Sequence, residues 1–218
     1  MNNNLKRRIF TLIAIFACMG LNMMAQNLSP DMENVIDICS RISKGLYPPN
    51  KDMLKQAAND YRKAEIVDFA DIRLVKGQSI SLDNHLLFDD VFVDSIAAKG
   101  KLIPFASKYA KQRANRGTGS GGKIKLTTLA LKAHQSATWK TTKRNIAEYA
   151  VVAEPNGLFT MTIKDEKGKV LYTETKDNKK GAAVRKAHIK LPDQRNVVMI
   201  EIKNTSDYDS SFALIALP

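Results

Sequence analysis

Cysteine, tryptophan and long apolar stretches are all scarce in this sequence. Its two cysteines are Cys18 and Cys39, and its one tryptophan is Trp139. The longest apolar run, the 13 residues at 9–21, is shorter than the roughly 20 residues that a membrane-spanning helix needs. These shortages exclude a disulfide framework, a cysteine-rich metal centre and a polytopic membrane protein.

The amino terminus has the three parts of a secretory leader. Three basic residues at 6–8 come first, the apolar run follows, and Ala25 supplies the small residue at which such leaders are cut. Cleavage there would start the exported protein at Gln26 with no transmembrane span, in the periplasm, on the cell surface or outside the cell. Cys18 supports an alternative, because a cysteine that ends an apolar run resembles a bacterial lipoprotein cleavage site and would leave a lipid anchor.

Two amphipathic helices are predicted after the leader. Ser29 can cap the first helix, Gly45 can end it, and Asn50 can cap the second. Cys39 lies on the apolar stripe of the first helix, so we expect a buried thiol rather than a catalytic one. A helical pair of this length cannot bury its stripe alone, and we expect it to pack against a sheet.

Short alternating segments dominate the second half of the chain. They predict strands over 124–133, 148–153, 159–164, 170–175, 187–191, 197–203 and 212–217. Turn-forming clusters such as Pro155-Asn156-Gly157 separate several of these segments. Such a succession of short strands and turns is typical of an antiparallel sandwich.

The predicted fold is therefore α+β and mainly β. A C-terminal antiparallel, jelly-roll-like β-sandwich is preceded by an N-terminal helical hairpin. The regions are a leader over 1–25, the hairpin with a short β segment over 26–98, a linker over 99–125 and the sandwich over 126–218. The linker is basic and glycine-rich, with eight Lys or Arg residues and no acidic one.

Several stretches of the second half follow a known pattern. They are 147–151 followed by 155–157, then Val170-Leu171-Tyr172, and finally 197–204 followed by 210–217. Through them, residues 146–217 resemble the bacterial pre-peptidase C-terminal domain, a small β-sandwich appended to many secreted proteins. The resemblance implies an accessory role in stabilising, targeting or adhering, without chemistry of its own. Family members often carry an Asp before the Leu-Tyr pair and some bind calcium, whereas Val170 occupies that position here.

No recognised motif for catalysis or for cofactor binding is complete in this sequence. The run at 117–123 fits the beginning of a phosphate-binding loop, but Ile124 stands where the magnesium-binding Ser or Thr belongs. The three histidines have no metal-ligand spacing, and there is no G-x-S-x-G elbow. We therefore expect no enzyme, no metal and no cofactor, with an unrecognised hydrolase as the remaining enzymatic alternative.

The acidic segment before the linker leaves two questions open. Asp89, Asp90 and Asp94 lie close in sequence but lack the glycine turn of a calcium loop, so only the fold decides whether they form a site. Asp94-Ser95-Ile96 resembles a short acceptor motif for bacterial O-glycosylation, which makes Ser95 a candidate for modification.

Charge is distributed unevenly between the two halves of the exported chain. Residues 26–94 hold eight basic and twelve acidic residues, whereas 95–218 hold 23 basic and ten acidic ones. A surface so basic attracts polyanions through its long-range field. The candidate binding residues are Lys99, Lys101, Lys108, Lys111, Arg113, Arg116, Trp139, Lys140, Lys143 and Arg144. Trp139 can either stack on a sugar or belong to the core.

These observations support two functional hypotheses. The first is an exported, non-enzymatic binding or adhesion module whose basic half recognises an acidic glycan, a lipid surface or an acidic envelope protein, with nucleic acid a poor fit to an exported protein. The second is a structural or assembly subunit of the cell envelope that docks on another protein through the helical hairpin. The opposite charges of the two halves allow a further outcome, in which the basic half docks on the acidic half.

Overall fold

The computed structural model describes residues 28–69, 71–75, 78, 124–175 and 182–217. Several features named above lie outside these residues: the leader with Cys18, the candidate acceptor Ser95, the aspartates Asp89, Asp90 and Asp94, and the linker cations Lys99, Lys101, Lys108, Lys111, Arg113 and Arg116. The described residues cover the helical hairpin and the sandwich.

Two helices open the described chain, α1 over Pro30–Leu46 and α2 over Lys51–Lys63. Both begin where the sequence predicts. A backbone N–H in the first turn of α1 donates to the Ser29 hydroxyl at 3.4 Å, and one in α2 donates to the Asn50 side chain at 3.0 Å. These caps satisfy amides that a helix leaves unpaired in its first turn. Within the described residues, neither helix is long and apolar enough to cross a membrane.

Ten strands follow in the described part of the chain. They are β1 (Ile66–Asp68), β2 (Arg73–Leu74), β3 (Ile124–Leu131), β4 (Ser136–Lys143), β5 (Ile146–Pro155), β6 (Phe159–Asp165), β7 (Val170–Thr175), β8 (Ala182–Lys190), β9 (Asn196–Asn204) and β10 (Ser210–Ala216). All seven predicted strands are present, and β4 is a strand that the sequence pattern did not predict. Its buried positions include Thr141 and Lys143, which interrupt the apolar alternation.

The strands form two five-stranded sheets. Sheet 1 has the order β1-β3-β10-β5-β8, and sheet 2 has the order β2-β4-β9-β6-β7. The pairs are antiparallel except for β1 and β3, which run parallel. The predicted α+β, mainly β sandwich is confirmed. The segment before the linker also contributes an edge strand to each sheet.

Apolar side chains at alternate positions of the strands fill the space between the two sheets. Val151 and Leu214 of sheet 1 face Met161 and Ile200 of sheet 2, and all four are fully buried. Complete burial of side chains of this size stabilises the fold by about 1.5–3 kcal/mol each. Trp139 is only 5% exposed and belongs to the same core. It is therefore unavailable to stack on a ligand, and its predicted binding role is corrected to a packing role.

The helical hairpin covers the other face of sheet 1. Ile38, Cys39 and Ile42 of α1 are fully buried in a second core, which also contains Val152 and Ile215 of the sheet. The apolar stripe of the hairpin is thus buried against sheet 1 of the same molecule. The surface through which an envelope subunit was expected to dock on another protein is covered by the protein's own sheet.

Candidate functional site

An open pocket of about 430 Å³ lies at one end of the sandwich. It is next to the connection that leads from β4 in sheet 2 to β5 in sheet 1. Its walls bring together four cations, one carboxylate, one hydroxyl and one apolar side chain: Lys125, Lys143, Arg144, Arg195, Asp71, Thr142 and Ile146. The excess of positive charge makes this pocket a candidate site for an anion.

A tight turn forms the rim of the pocket. Asn145 has a left-handed backbone with φ of 56°, a conformation that asparagine tolerates better than most residues. The Leu191 N–H donates to the Asn145 carbonyl at 2.6 Å, and Nη2 of Arg195 donates to the Thr142 hydroxyl at 3.4 Å. These contacts hold the exposed side chains of Arg144 and Arg195 on the same rim.

Two lysines from opposite sheets meet at the bottom of the pocket. Lys125 lies near the start of β3 in sheet 1, and Lys143 ends β4 in sheet 2. Their Nζ atoms lie 5.7 and 6.0 Å from the centroid of the Phe69 ring. At such distances an aromatic face attracts a cation by about 0.5–2 kcal/mol. Phe69 is 3% exposed, so its ring forms a water-excluded floor beneath both ammonium groups.

One carboxylate moderates the repulsion between these lysines. Oδ1 of Asp71 lies 2.9 Å from Nζ of Lys125. Burial by itself would raise the pKa of Asp71, but the hydrogen bond and the charge of Lys125 hold that pKa below its usual value. The pairing neutralises Lys125, whereas Lys143 forms no ion pair with a carboxylate among the described residues.

Of the four cations that line the pocket, Lys143 has the least favourable environment for its charge. Its ammonium donates a hydrogen bond to the carbonyl oxygen of Leu217. Burial, and then the charge of Lys125, lower the pKa of Lys143 to about 8. A bound anion would reverse this effect, because it would replace the solvation that the buried ammonium has lost.

Tyr149 brings a buried hydroxyl to the same end of the core. Its side chain is fully buried, and its oxygen has no hydrogen-bond partner among the described residues. Burial, and then the charge of Asp71, raise the pKa of this phenol, so it keeps its proton and can donate. A buried hydroxyl without a partner costs about 1–3 kcal/mol. Thr141 has a second such hydroxyl two residues before Lys143 on the same face of β4.

Two of the predicted binding residues line this pocket, namely Lys143 and Arg144. Lys140 is placed elsewhere, on the outer face of sheet 2, where its Nζ lies 3.6 Å from the carboxylate of Glu166. Trp139 lies in the core, as described above.

Three charged residues of the pocket were not predicted: Asp71, Lys125 and Arg195. They come from distant segments of the chain that meet only through strand pairing, and no spacing rule connects them. Lys125 gave no local signal either, because it alternates with the buried Ile124 and Leu126 as a solvent-facing lysine would.

Glu148 and Cys39 are two further buried titratable groups of the described chain. The carboxylate of Glu148 accepts a hydrogen bond from the Ser29 N–H at 3.0 Å and lies 3.1 Å from Nδ1 of His188. Burial raises the pKa of Cys39 to about 12, so this thiol holds almost no thiolate at neutral pH. Within residues 28–69, 71–75, 78, 124–175 and 182–217, no three metal-ligating side chains cluster.

Fold and pocket together define a two-layer β-sandwich with a basic cleft at one end. No family model matches the chain, so the pre-peptidase C-terminal domain remains a resemblance, and no curated protein matches it either.

Solved structures with a similar arrangement cover a little under half of this chain. The Yersinia pseudotuberculosis-derived mitogen has 17% identity and a TM-score of 0.34, over 44% of this chain and 86% of that one. A CBM4 structure has 10% identity and a TM-score of 0.30, over 47% and 86%. The mannan-recognising carbohydrate-binding module TmCBM27 has 11% identity and a TM-score of 0.30, over 45% and 85%. Similarity at this level says nothing about function, which rests on the pocket itself.

Proposed function

We propose that this protein is an exported, non-enzymatic binding module that holds an acidic polysaccharide in the basic pocket. The observation that carries the proposal is the convergence of Lys125, Lys143, Arg144 and Arg195 on one pocket with a single carboxylate, Asp71. Acidic polysaccharides supply the complementary charge through uronic acids or sulfate esters. Export is the part of the proposal that depends on the leader.

The shape of the pocket also suits a sugar. Its volume of about 430 Å³ falls in the range of about 300–1,000 Å³ that is usual for small-ligand sites. Ile146 lines the wall and is 46% exposed, which provides an apolar surface for the nonpolar face of a sugar ring. Charge and apolar contact are therefore available within one cleft.

Part of the basic half is neutralised inside the molecule. Lys186 pairs with Glu33 at 2.5 Å, and Lys125 pairs with Asp71 at 2.9 Å, so two ion pairs among the described residues join the basic half to the acidic half. The rim arginines of the pocket differ from these lysines. Both are exposed, and neither forms an ion pair with another described residue.

The exposed apolar side chains argue against a lipid surface as the partner. In the described part of the chain, the large ones are Tyr47, Ile146, Val170 and Tyr208, which lie on separate elements and form no common patch for insertion. Lys143 is only 7% exposed. It is reached by a group that enters the pocket, and a flat anionic layer would contact the rim alone.

Calorimetric titration of the full-length protein with polygalacturonate and with heparin, at low and high salt, tests the proposal. We expect the double variant R144Q/R195Q to lose about tenfold or more in affinity, because a contact between a charged group and an anion is worth roughly 1 kcal/mol or more. Affinity should also fall as salt is added.

A matched control removes two exposed charges at the opposite end of the sandwich. The variant K132Q/K203Q lowers the net charge by the same amount and should bind as the wild type does. Equal losses in the two double variants would mean that net charge alone attracts the polymer and that the pocket is not the site. Absence of binding at low salt would refute the proposal as a whole.

A further inference from the structure

Tyr149 is fully buried on β5, three residues after Ile146 of the pocket wall. Tyr149 is paired with Ala216 of β10, which is paired on its other side with Lys125 of β3. All three residues have inward-facing side chains. Because Ala216 carries only a methyl group, no bulky side chain from the intervening strand separates the Tyr149 ring from the lysine.

Lys143 reaches the same place from the other sheet. Its ammonium donates to the carbonyl oxygen of Leu217, the residue that follows Ala216. Tyr149 is the strand partner of Ala216, so Lys143 and Tyr149 both lie beside the end of β10. The Lys143 ammonium and the Tyr149 phenol thus belong to the same end of the sandwich, each with donor capacity to spare.

Among the described residues, the charge at this buried end amounts to one positive unit. Asp71 neutralises Lys125 through their 2.9 Å ion pair, which leaves Lys143 as the uncompensated cation. A singly charged group would balance it. A doubly charged phosphate would instead leave a net negative charge in a poorly solvated site, which is unfavourable.

We propose that the buried end of the pocket is a subsite for one singly charged oxyanion group of an acidic sugar. Lys143 is its ionic partner, and the Tyr149 hydroxyl is a specificity-determining donor to a second oxygen of the same group. A uronic-acid carboxylate and a sulfate ester share this chemistry. The inference rests on the proposed function and adds to it the charge state of the ligand group and the residue that selects it.

The variant Y149F tests the role of the hydroxyl in the full-length protein. We expect its affinity for galacturonate to fall about fivefold to twentyfold, as for the loss of one hydrogen bond to a charged group. Its melting temperature should stay unchanged or rise, because the removed hydroxyl has no hydrogen-bond partner among the described residues. The control Y208F removes a hydroxyl from an exposed tyrosine near the opposite end of the sandwich and should bind normally.

An NMR measurement distinguishes a Tyr149 hydroxyl that contacts the ligand from a Tyr149 side chain that only fills the core. If the hydroxyl donates to the ligand, the NMR signal of the Tyr149 ring carbon that bears the oxygen shifts when galacturonate is added. That signal would stay unchanged if Tyr149 only filled the core. Unchanged affinity in Y149F, or an unshifted signal at saturation, would overturn the subsite.

Titrations with four small ligands test which charge the subsite accepts. Galacturonate and glucose 6-sulfate should bind, glucose should not, and glucose 6-phosphate should bind more weakly than both at a pH where it is doubly charged. Whichever of galacturonate and glucose 6-sulfate has the higher affinity shows whether the subsite prefers a carboxylate or a sulfate ester. Glucose 6-phosphate binding more tightly than both would overturn the inference.

Failure of this inference can be told apart from failure of the proposed function. If Y149F binds normally while R144Q/R195Q loses affinity, the pocket binds an anion and the subsite is wrong. If neither variant changes binding, both proposals fail.

Discussion

Lys125 and Lys143 belong to different sheets, yet their ammonium groups converge on the same aromatic ring. Both Nζ atoms lie within 6.0 Å of the centroid of Phe69. Two like charges in a poorly solvated corner destabilise each other unless negative charge is close. Asp71 forms an ion pair with Lys125, and its charge offsets only part of the penalty at Lys143. The charge of Lys143 therefore stays unfavourable in the free protein, and an anion that entered the pocket would relieve it.

Affinity for a sulfated sugar should fall as the pH rises through about 8. The pKa of Lys143 is about 8 in the folded protein, so above that pH the lysine loses its proton and its attraction for the anion. Titrations at intervals from about pH 6 to pH 10 measure this effect, since a sulfate ester keeps its charge throughout. The variant K143M should bind more weakly and show a flatter profile. A wild-type affinity that stays constant across the range would contradict the prediction.

The same lysine should make the protein more stable as the pH rises from about 8 toward its ordinary pKa of 10.5. In this window the unfolded chain binds a proton that the folded protein has released, so raising the pH favours the folded state. Urea unfolding of the wild type and of K143M measures the difference. The wild type should gain stability relative to K143M over the window, and parallel pH profiles would show that the lysine is not perturbed.

Replacement of the internal counter-ion should strengthen ligand binding. In D71N the ammonium of Lys125 loses its carboxylate partner, which lies 2.9 Å away in the wild type, and becomes free to contact the ligand. We expect affinity for polygalacturonate to rise several-fold at neutral pH, in line with roughly 1 kcal/mol for a partly exposed pair. The control D207N removes an exposed carboxylate near His134 and should have no effect. Weaker binding in D71N would mean that Asp71 positions the lysines for the ligand.

Truncation of the hairpin core should destabilise the whole protein. Ile38 is fully buried between the hairpin and sheet 1, and I38A should lower the free energy of unfolding by about 2–5 kcal/mol through lost burial and a residual cavity. Q56A, at an exposed position of α2, serves as the control and should change stability by less than about 0.5 kcal/mol. Two separate unfolding transitions in I38A would show that the hairpin and the sandwich are independent.

The thiol of Cys39 should be inert in the folded protein. Burial raises its pKa from 9.0 to about 12, which lowers its thiolate fraction by about a thousandfold near neutral pH. In a C18S background, labelling by a disulfide reagent should be very slow until urea unfolds the chain, after which the expected single thiol reacts. Rapid labelling of the native protein would place Cys39 at an accessible surface.

Local features of this fold could be predicted because their causes are local. Ser29 and Asn50 cap their helices through hydrogen bonds that span three residues, and such spacing is visible in the sequence. Strand β4 was missed because two of its four inward positions hold Thr141 and Lys143. The basic residues around Trp139 suggested a surface, but only Lys140 points to the opposite face of β4, whereas Lys143 shares the inward face with Trp139.

The pocket depends on contacts that no local pattern records. Asp71 and Lys125 are 54 positions apart and become partners only because β1 pairs in parallel with β3. Arg195 joins them through the ladder between β4 and β9, which places the end of one strand beside the start of the other. The net charge of the sequence is enough to indicate an anionic partner. The position of the cleft can be found only when the register of the paired strands is known.

The short connection between β1 and β2 has a mechanical consequence. It links the edge of sheet 1 to the edge of sheet 2 and carries Phe69 and Asp71 on the way. Together with the connection from β4 to β5, it therefore joins the two layers covalently at the corner where Lys125 and Lys143 meet. A polymer segment held by both lysines would add a non-covalent link at that corner, so the layers would resist separation more strongly in the complex than in the free protein.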